Sequence, residues 1–141
     1  MTSVGCRNDR RRCVCTDCNP RQGVGRAALY AEAIAEADPP LISTATLLEV
    51  NIVMLNRHGV RAAPMVDKLI QQAGFQIESF TAQQAELARE AYARYGKGQQ
   101  KAGLNYGDCF SYALAKATGL PLLFKGEDFS KTDIIPAEIK N

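Results

Sequence analysis

Between Leu104 and Asp133 the chain reads LNYGDCFSYALAKATGLPLLFKGEDFSKTD, and this stretch restricts the fold more than any other. Phe110, Ala113, Leu114 and Ala117 recur at helical spacing, which predicts a helix with one apolar face. Gly119 and then Pro121 end it, as expected past a helix C-terminus. Leu120 to Phe124 is a short continuous apolar run, the pattern of a strand covered on both faces. Gly126 to Phe129 then falls just past the carboxyl end of that strand, where open α/β sheets gather their chemistry. Asp108 in the first helical turn, with Glu127 and Asp128 past the strand, are therefore the first functional leads.

A chain of 141 residues reads as one domain with room for a real core. Its formal charge of +2 is too small to argue for nucleic acid by itself. No apolar run approaches the ~20 residues of a membrane span, and the basic N-terminus lacks the apolar stretch of a signal peptide. A soluble, cytoplasmic protein with no membrane partner is the expectation.

Residues 1–26 form an atypical segment that holds four of the five cysteines, several arginines and almost no aliphatic side chains. Residues 27–141 have the composition of an ordinary α/β domain. Ala27 to Ala37 predicts a helix ended by Asp38-Pro39-Pro40. Leu41-Ile42 leads to Ser43 and Thr44, either of which suits the cap of a helix running to Arg57 with Leu47, Val50, Met54 and Leu55 as its buried stripe. Arg61 to Ala73 predicts another helix, with Met65, Val66, Leu69 and Ile70 apolar. Phe75 to Phe80 alternates as a strand does, and Thr81 caps a helix over Ala82 to Tyr95. Ile134-Ile135 suits a short edge strand.

Strand and helix alternate, which favours a three-layer α/β/α architecture with a mainly parallel central sheet. Such a sheet needs an apolar central strand before the first helix. Residues 1–25 stand there instead, so the first strand is missing or garbled.

Glu49 lies between Leu48 and Val50, where it is either a solvated helix residue or a buried carboxylate that needs a partner or a metal. Asp108 suits a helix cap or dipole partner as well as a ligand, and Asp128 suits a turn. Three acids from distant parts of the chain, each at the end of a core element, fit a Mg²⁺ or Mn²⁺ site. That chemistry polarises a phosphoryl oxygen and activates water, which suits phosphodiester hydrolysis. The rivals are weaker. His58 is the only histidine and sits beside a helix-ending Gly59, and Cys109 lies in an apolar helix with no second histidine to serve it. No phosphate-binding Gly-rich motif is present. Arg57, Arg61, Lys97, Lys101 and Lys125 suit either a nucleic-acid backbone or simple solvation.

Over about Ala27 to Ile135 the chain resembles VapC-type PIN-domain ribonucleases, the toxins of type II toxin–antitoxin pairs. LISTATLLEV at 41–50 and LNYGDCFSYALAKATGLPLLFKGEDFSKTDI at 104–134 carry the likeness. The resemblance implies a Mg²⁺-dependent endoribonuclease, with Glu49, Asp108 and Asp128 matching the acidic positions around the metal and Asp108 foremost among them as a ligand. It leaves Asp133 and Glu127 as secondary candidates, Asp133 acting through water or behind the ligands. It also implies an RNA substrate, a cognate VapB-type antitoxin and a homodimer.

Such proteins begin with a strand carrying an aspartate, of the kind IVVDASALIAIL, and here none is present. Degenerate codons for Asn8 to Pro20, read one nucleotide later, permit MIVVDASALIAIL. The expectation is that the segment before Ala27 is out of frame, and that the literal chain, lacking one ligand, is inactive. Two alternatives remain. One is a catalytically inactive PIN-like module that binds an antitoxin or RNA; the other is a zinc-binding arm built from Cys6, Cys13, Cys15 and Cys18.

Overall fold

The computed structural model describes residues 14–15, 24–37, 39–98 and 102–139. Strands β1 (Val14–Cys15), β2 (Leu41–Ser43), β3 (Gln76–Glu78) and β4 (Leu122–Leu123) form one sheet in the order β3-β2-β1-β4. Every pairing is parallel, with Leu41 opposite Gln76, Val14 opposite both Leu41 and Leu122, and Cys15 opposite Leu123. Helices α1 (Val24–Glu36), α2 (Thr44–His58), α3 (Ala62–Ala73), α4 (Ala82–Tyr95) and α5 (Tyr106–Thr118) complete the α/β architecture. The backbone of Val14–Cys15 thus takes the central position, between β2 and β4, for which the sequence offers no apolar strand.

The core is built around α5 and β4. Leu104, Leu114 and Leu122 are buried with Leu41, Tyr112, Ala113 and Phe129, while Ile42 and Leu123 are sealed inside the sheet. Helix α5 keeps this position because both its ends are specified. Asn105 and Asp108 form a reciprocal capping box at its start, and Gly119, at φ 68°, closes it. The segment after it behaves as the apolar run predicts, and residues 135–137 bond to Leu122 on the outer side of β4.

Helix α2 departs from expectation. Its buried residue is Thr46, whereas Leu47, Val50 and Met54 are half-buried and Leu55 is exposed. Leu48, Ile52, Val53, Met65 and Leu69 are exposed as well, while Val66 is buried, so α2 and α3 leave part of their apolar surface facing outward. Helical spacing identifies an apolar stripe but not what covers it.

Candidate active site

Parallel topology brings three chain segments to one end of the sheet. Helix α2 starts directly from the carboxyl end of β2, where the Ser43 side chain accepts a hydrogen bond from the Ala45 amide. Helix α5 leads through Leu120-Pro121 straight back into β4, so it runs against the strands and starts at their carboxyl ends. The segment 124–128 emerges there from β4.

Two contacts lock these starts together. The hydroxyls of Thr46 and Ser111, both buried, meet at 3.3 Å between the first turn of α2 and the second turn of α5. The Phe80 amide donates to Thr44 Oγ1 at 3.0 Å, tying the chain past β3 to the same place.

Glu49 reaches this platform at Gly107, the residue before Asp108. Gly107 is buried, and a Cβ built on it would stand 2.6 Å from Glu49 Cδ. The Glu49 carboxylate therefore rests against the α5 backbone beside Asp108, although Glu49 as a whole remains exposed. Asp108 is oriented by its cap: its amide donates to Asn105 Oδ1 and its Oδ2 accepts from the Asn105 amide, both at 2.9 Å. Its negative charge also stands at the favourable end of the helix dipole.

Asp128 is exposed and begins the short 3₁₀ turn Phe129–Lys131, past the end of β4. Phe129 anchors this turn in the core against Phe124, with ring centroids 5.2 Å apart. Glu127 is exposed, and its carbonyl accepts from both the amide and the hydroxyl of Ser130. Among the described residues no three His, Cys, Asp or Glu side chains converge closely enough to hold a metal ion.

Asp133 has another set of partners. It accepts from Tyr112 Oη at 2.7 Å and from Lys116 Nζ at 2.9 Å, one and two turns along α5 from Asp108. Partial burial pushes its carboxyl up, but the hydrogen bonds from Lys116 and Tyr112 outweigh this and hold it below the ordinary value. It is a clamp between the C-terminal segment and α5.

Burial, and then the nearby Asp108 charge, push the Cys109 thiol up to about 11 while it donates to the Asn105 carbonyl. It is a core residue, as its apolar helix implies. Arg57, His58, Arg61 and Lys97 are exposed and Lys125 is half-buried; Lys101 and the cysteines of 1–13 and 16–18 lie outside the described residues. Sequence reasoning passed over Thr46, Ser111 and Gly107. A glycine inside the first turn of an otherwise well-formed helix was the available signal.

Residues 25–135 match the PIN domain family. The chain is 49% identical over 108 residues to the Ribonuclease VapC of Mycolicibacterium smegmatis, covering 77% of this chain and 84% of that one. It is 52% identical over 104 residues to Ribonuclease VapC30 of Mycobacterium tuberculosis, covering 73% and 79%. The crystal structure of Mycobacterium tuberculosis VapC20, a toxin that cleaves the sarcin-ricin loop, matches with a TM-score of 0.67 at 21% identity, over 88% of this chain and 96% of that one. That likeness is one of fold.

Proposed function

The chain belongs to the PIN-domain family, and on that premise we propose that it is the ribonuclease toxin of a type II toxin–antitoxin pair. Glu49, Asp108 and Asp128 would hold a Mg²⁺ or Mn²⁺ ion and hydrolyse RNA phosphodiester bonds. The observation that carries this reading is the Glu49 carboxylate lying on Gly107 beside Asp108. An all-carboxylate donor set suits a hard cation. When bound, the ion supplies Lewis acidity to the phosphoryl oxygen and acidifies a bound water.

The protein's own part is positioning. Asn105 orients Asp108, Gly107 admits Glu49, and the buried Phe129 holds the turn that presents Asp128. Asp133 supports the site only through the clamp it forms with Tyr112 and Lys116. A VapB-type antitoxin and a second copy of the chain are the protein partners of this reading, and the exposed apolar side chains of α2 and α3 are surface of the kind that such partners cover. Its setting is the cytoplasm. Among the described residues no helix is long and apolar enough to cross a membrane.

The family's first-strand aspartate belongs at the carboxyl end of the central strand. In the shifted reading that aspartate spans the codons of Arg12 and Cys13, so it falls before Val14–Cys15 and not at the carboxyl end of that strand; the family match begins only at residue 25. The late start of the family match supports an out-of-frame segment over 1–26 and an inactive literal chain. An inactive module that binds RNA or an antitoxin is the second reading, favoured by the absence of a three-carboxylate cluster among the described residues.

Cleavage of single-stranded RNA with Mg²⁺ or Mn²⁺, by the literal and the frame-corrected chains, tests these readings together. Activity abolished by Asp108→Asn and Glu49→Gln supports the ribonuclease. RNA or antitoxin binding without cleavage in the frame-corrected chain supports the inactive module.

A further inference from the structure

Tyr106 is 78% exposed, at the first position of α5 and immediately before Gly107 and Asp108. Its ring meets Phe110 edge-on, with centroids 4.8 Å apart at 80°. Phe110 in turn meets Phe80 at 4.9 Å and 81°. Phe110 and Phe80 are half-buried, and Phe80 is tied to the start of α2 through its amide. The three rings thus run outward from the core to the solvent beside Gly107 and Asp108, and the outermost one is left open.

An exposed apolar side chain is ordinary by itself. Here the ring meets Phe110 edge-to-face, and Phe110 is itself braced by Phe80, so the Tyr106 ring loses little further freedom when a planar ligand covers it. We propose that Tyr106, braced by Phe110 and Phe80, is a stacking platform for an unpaired base of the RNA strand next to the scissile phosphate. This rests on the ribonuclease reading and adds a specificity-determining residue to it. Proteins that take single strands use aromatic side chains in this way, because an unstacked base offers a flat face to any ring. The exposed apolar residues of α2 and α3 named above are aliphatic or methionine and offer no such face.

The test measures RNA binding by the full chain in Ca²⁺, so that the strand stays intact. The probes are short single-stranded RNAs carrying 2-aminopurine, flanked by each base in turn. Tyr106→Ala is expected to keep the melting temperature, to raise Kd by roughly 5- to 150-fold and to abolish quenching of the 2-aminopurine at one position; that range corresponds to the ~1–3 kcal/mol of one base–aromatic stack. Tyr106→Phe is expected to bind as the unsubstituted chain does, and Tyr106→Leu to behave like the alanine variant.

Equal Kd and equal quenching for Tyr106→Ala and the unsubstituted chain would overturn the platform and leave the ribonuclease reading standing. Unchanged RNA binding combined with a lost antitoxin contact or lost self-association would overturn it too, by making Tyr106 a protein-docking residue. No binding of any probe by the unsubstituted chain would sink the ribonuclease reading, and the platform with it.

Discussion

Glu49 Cδ would stand 2.6 Å from a Cβ at position 107, so glycine at that position is what lets a carboxylate of α2 rest on the first turn of α5. Gly107 has an ordinary negative φ, so the backbone does not require glycine there; the neighbour does. Gly107→Ala should therefore leave the fold intact. The exposed Glu49 side chain swings aside, and the helix gains up to ~1 kcal/mol in propensity. The melting temperature should hold or rise, while Mn²⁺ affinity, followed by calorimetry, falls roughly 10- to 100-fold, as when a group that orients a metal ligand is lost. Unchanged Mn²⁺ affinity would show that Glu49 plays no part in the site.

The Thr46–Ser111 pair sets the spacing of the same two helices from inside the core. Thr46→Val and Ser111→Ala each strand one buried hydroxyl, at a cost of about 1–3 kcal/mol. Ser111 lies within a helix and can turn to a carbonyl one turn back, which places Thr46→Val toward the low end. The double variant should cost less than the sum of the two, a coupling that urea unfolding of all four proteins measures.

Asp133 distinguishes a structural role from a catalytic one. Its folded carboxyl titrates below the ~3.9 of an unfolded aspartate, so its contribution is complete above that value and is lost as pH falls through the folded one. Because its side chain is 38% exposed, that contribution is no more than about 1 kcal/mol. Asp133→Asn should lower the melting temperature slightly at neutral pH, and the difference should vanish in acid. Tyr112→Phe removes the other half of the contact and should destabilise by ~1 kcal/mol. In the frame-corrected chain both variants should cleave with kcat unchanged, and a large fall in kcat would return Asp133 to the reaction.

Much of this arrangement is legible in the sequence. Asp108 as a cap residue in the first turn, the Gly119 stop and the apolar run into β4 are local signals, and each appears in the structure within a residue or two. Asp133 was harder to place, because proximity in sequence to Asp128 says nothing about Tyr112 and Lys116 reaching it from α5. The outward-facing apolar side chains of α2 were hidden for a related reason. Periodicity records which residues share a face, and burial depends on what else lies against it.

Cys109 should be chemically silent. With its thiol pushed up to about 11 and buried, almost none of it is thiolate at pH 8. Iodoacetamide at that pH should leave Cys109 unlabelled in the folded protein and label it in urea, with peptide mass spectrometry locating the adduct. Cys109→Ala should cost stability through lost packing and leave RNA cleavage by the frame-corrected chain unchanged.

The strongest prediction concerns the first strand. Val14–Cys15 has the central place in the sheet with only two paired residues, whereas MIVVDASALIAIL would supply a continuous apolar strand and an aspartate before it turns away. Resequencing the DNA over the codons for residues 1–30 decides whether the shift exists. A frame-corrected chain should melt at a higher temperature, because a longer strand buries more apolar surface between β2 and β4. It should also cleave RNA with Mg²⁺ or Mn²⁺, while the literal chain does not. If the literal chain cleaves as well and Asp108→Asn stops it, then Glu49, Asp108 and Asp128 suffice, and the frame-shifted aspartate is not needed for the reaction.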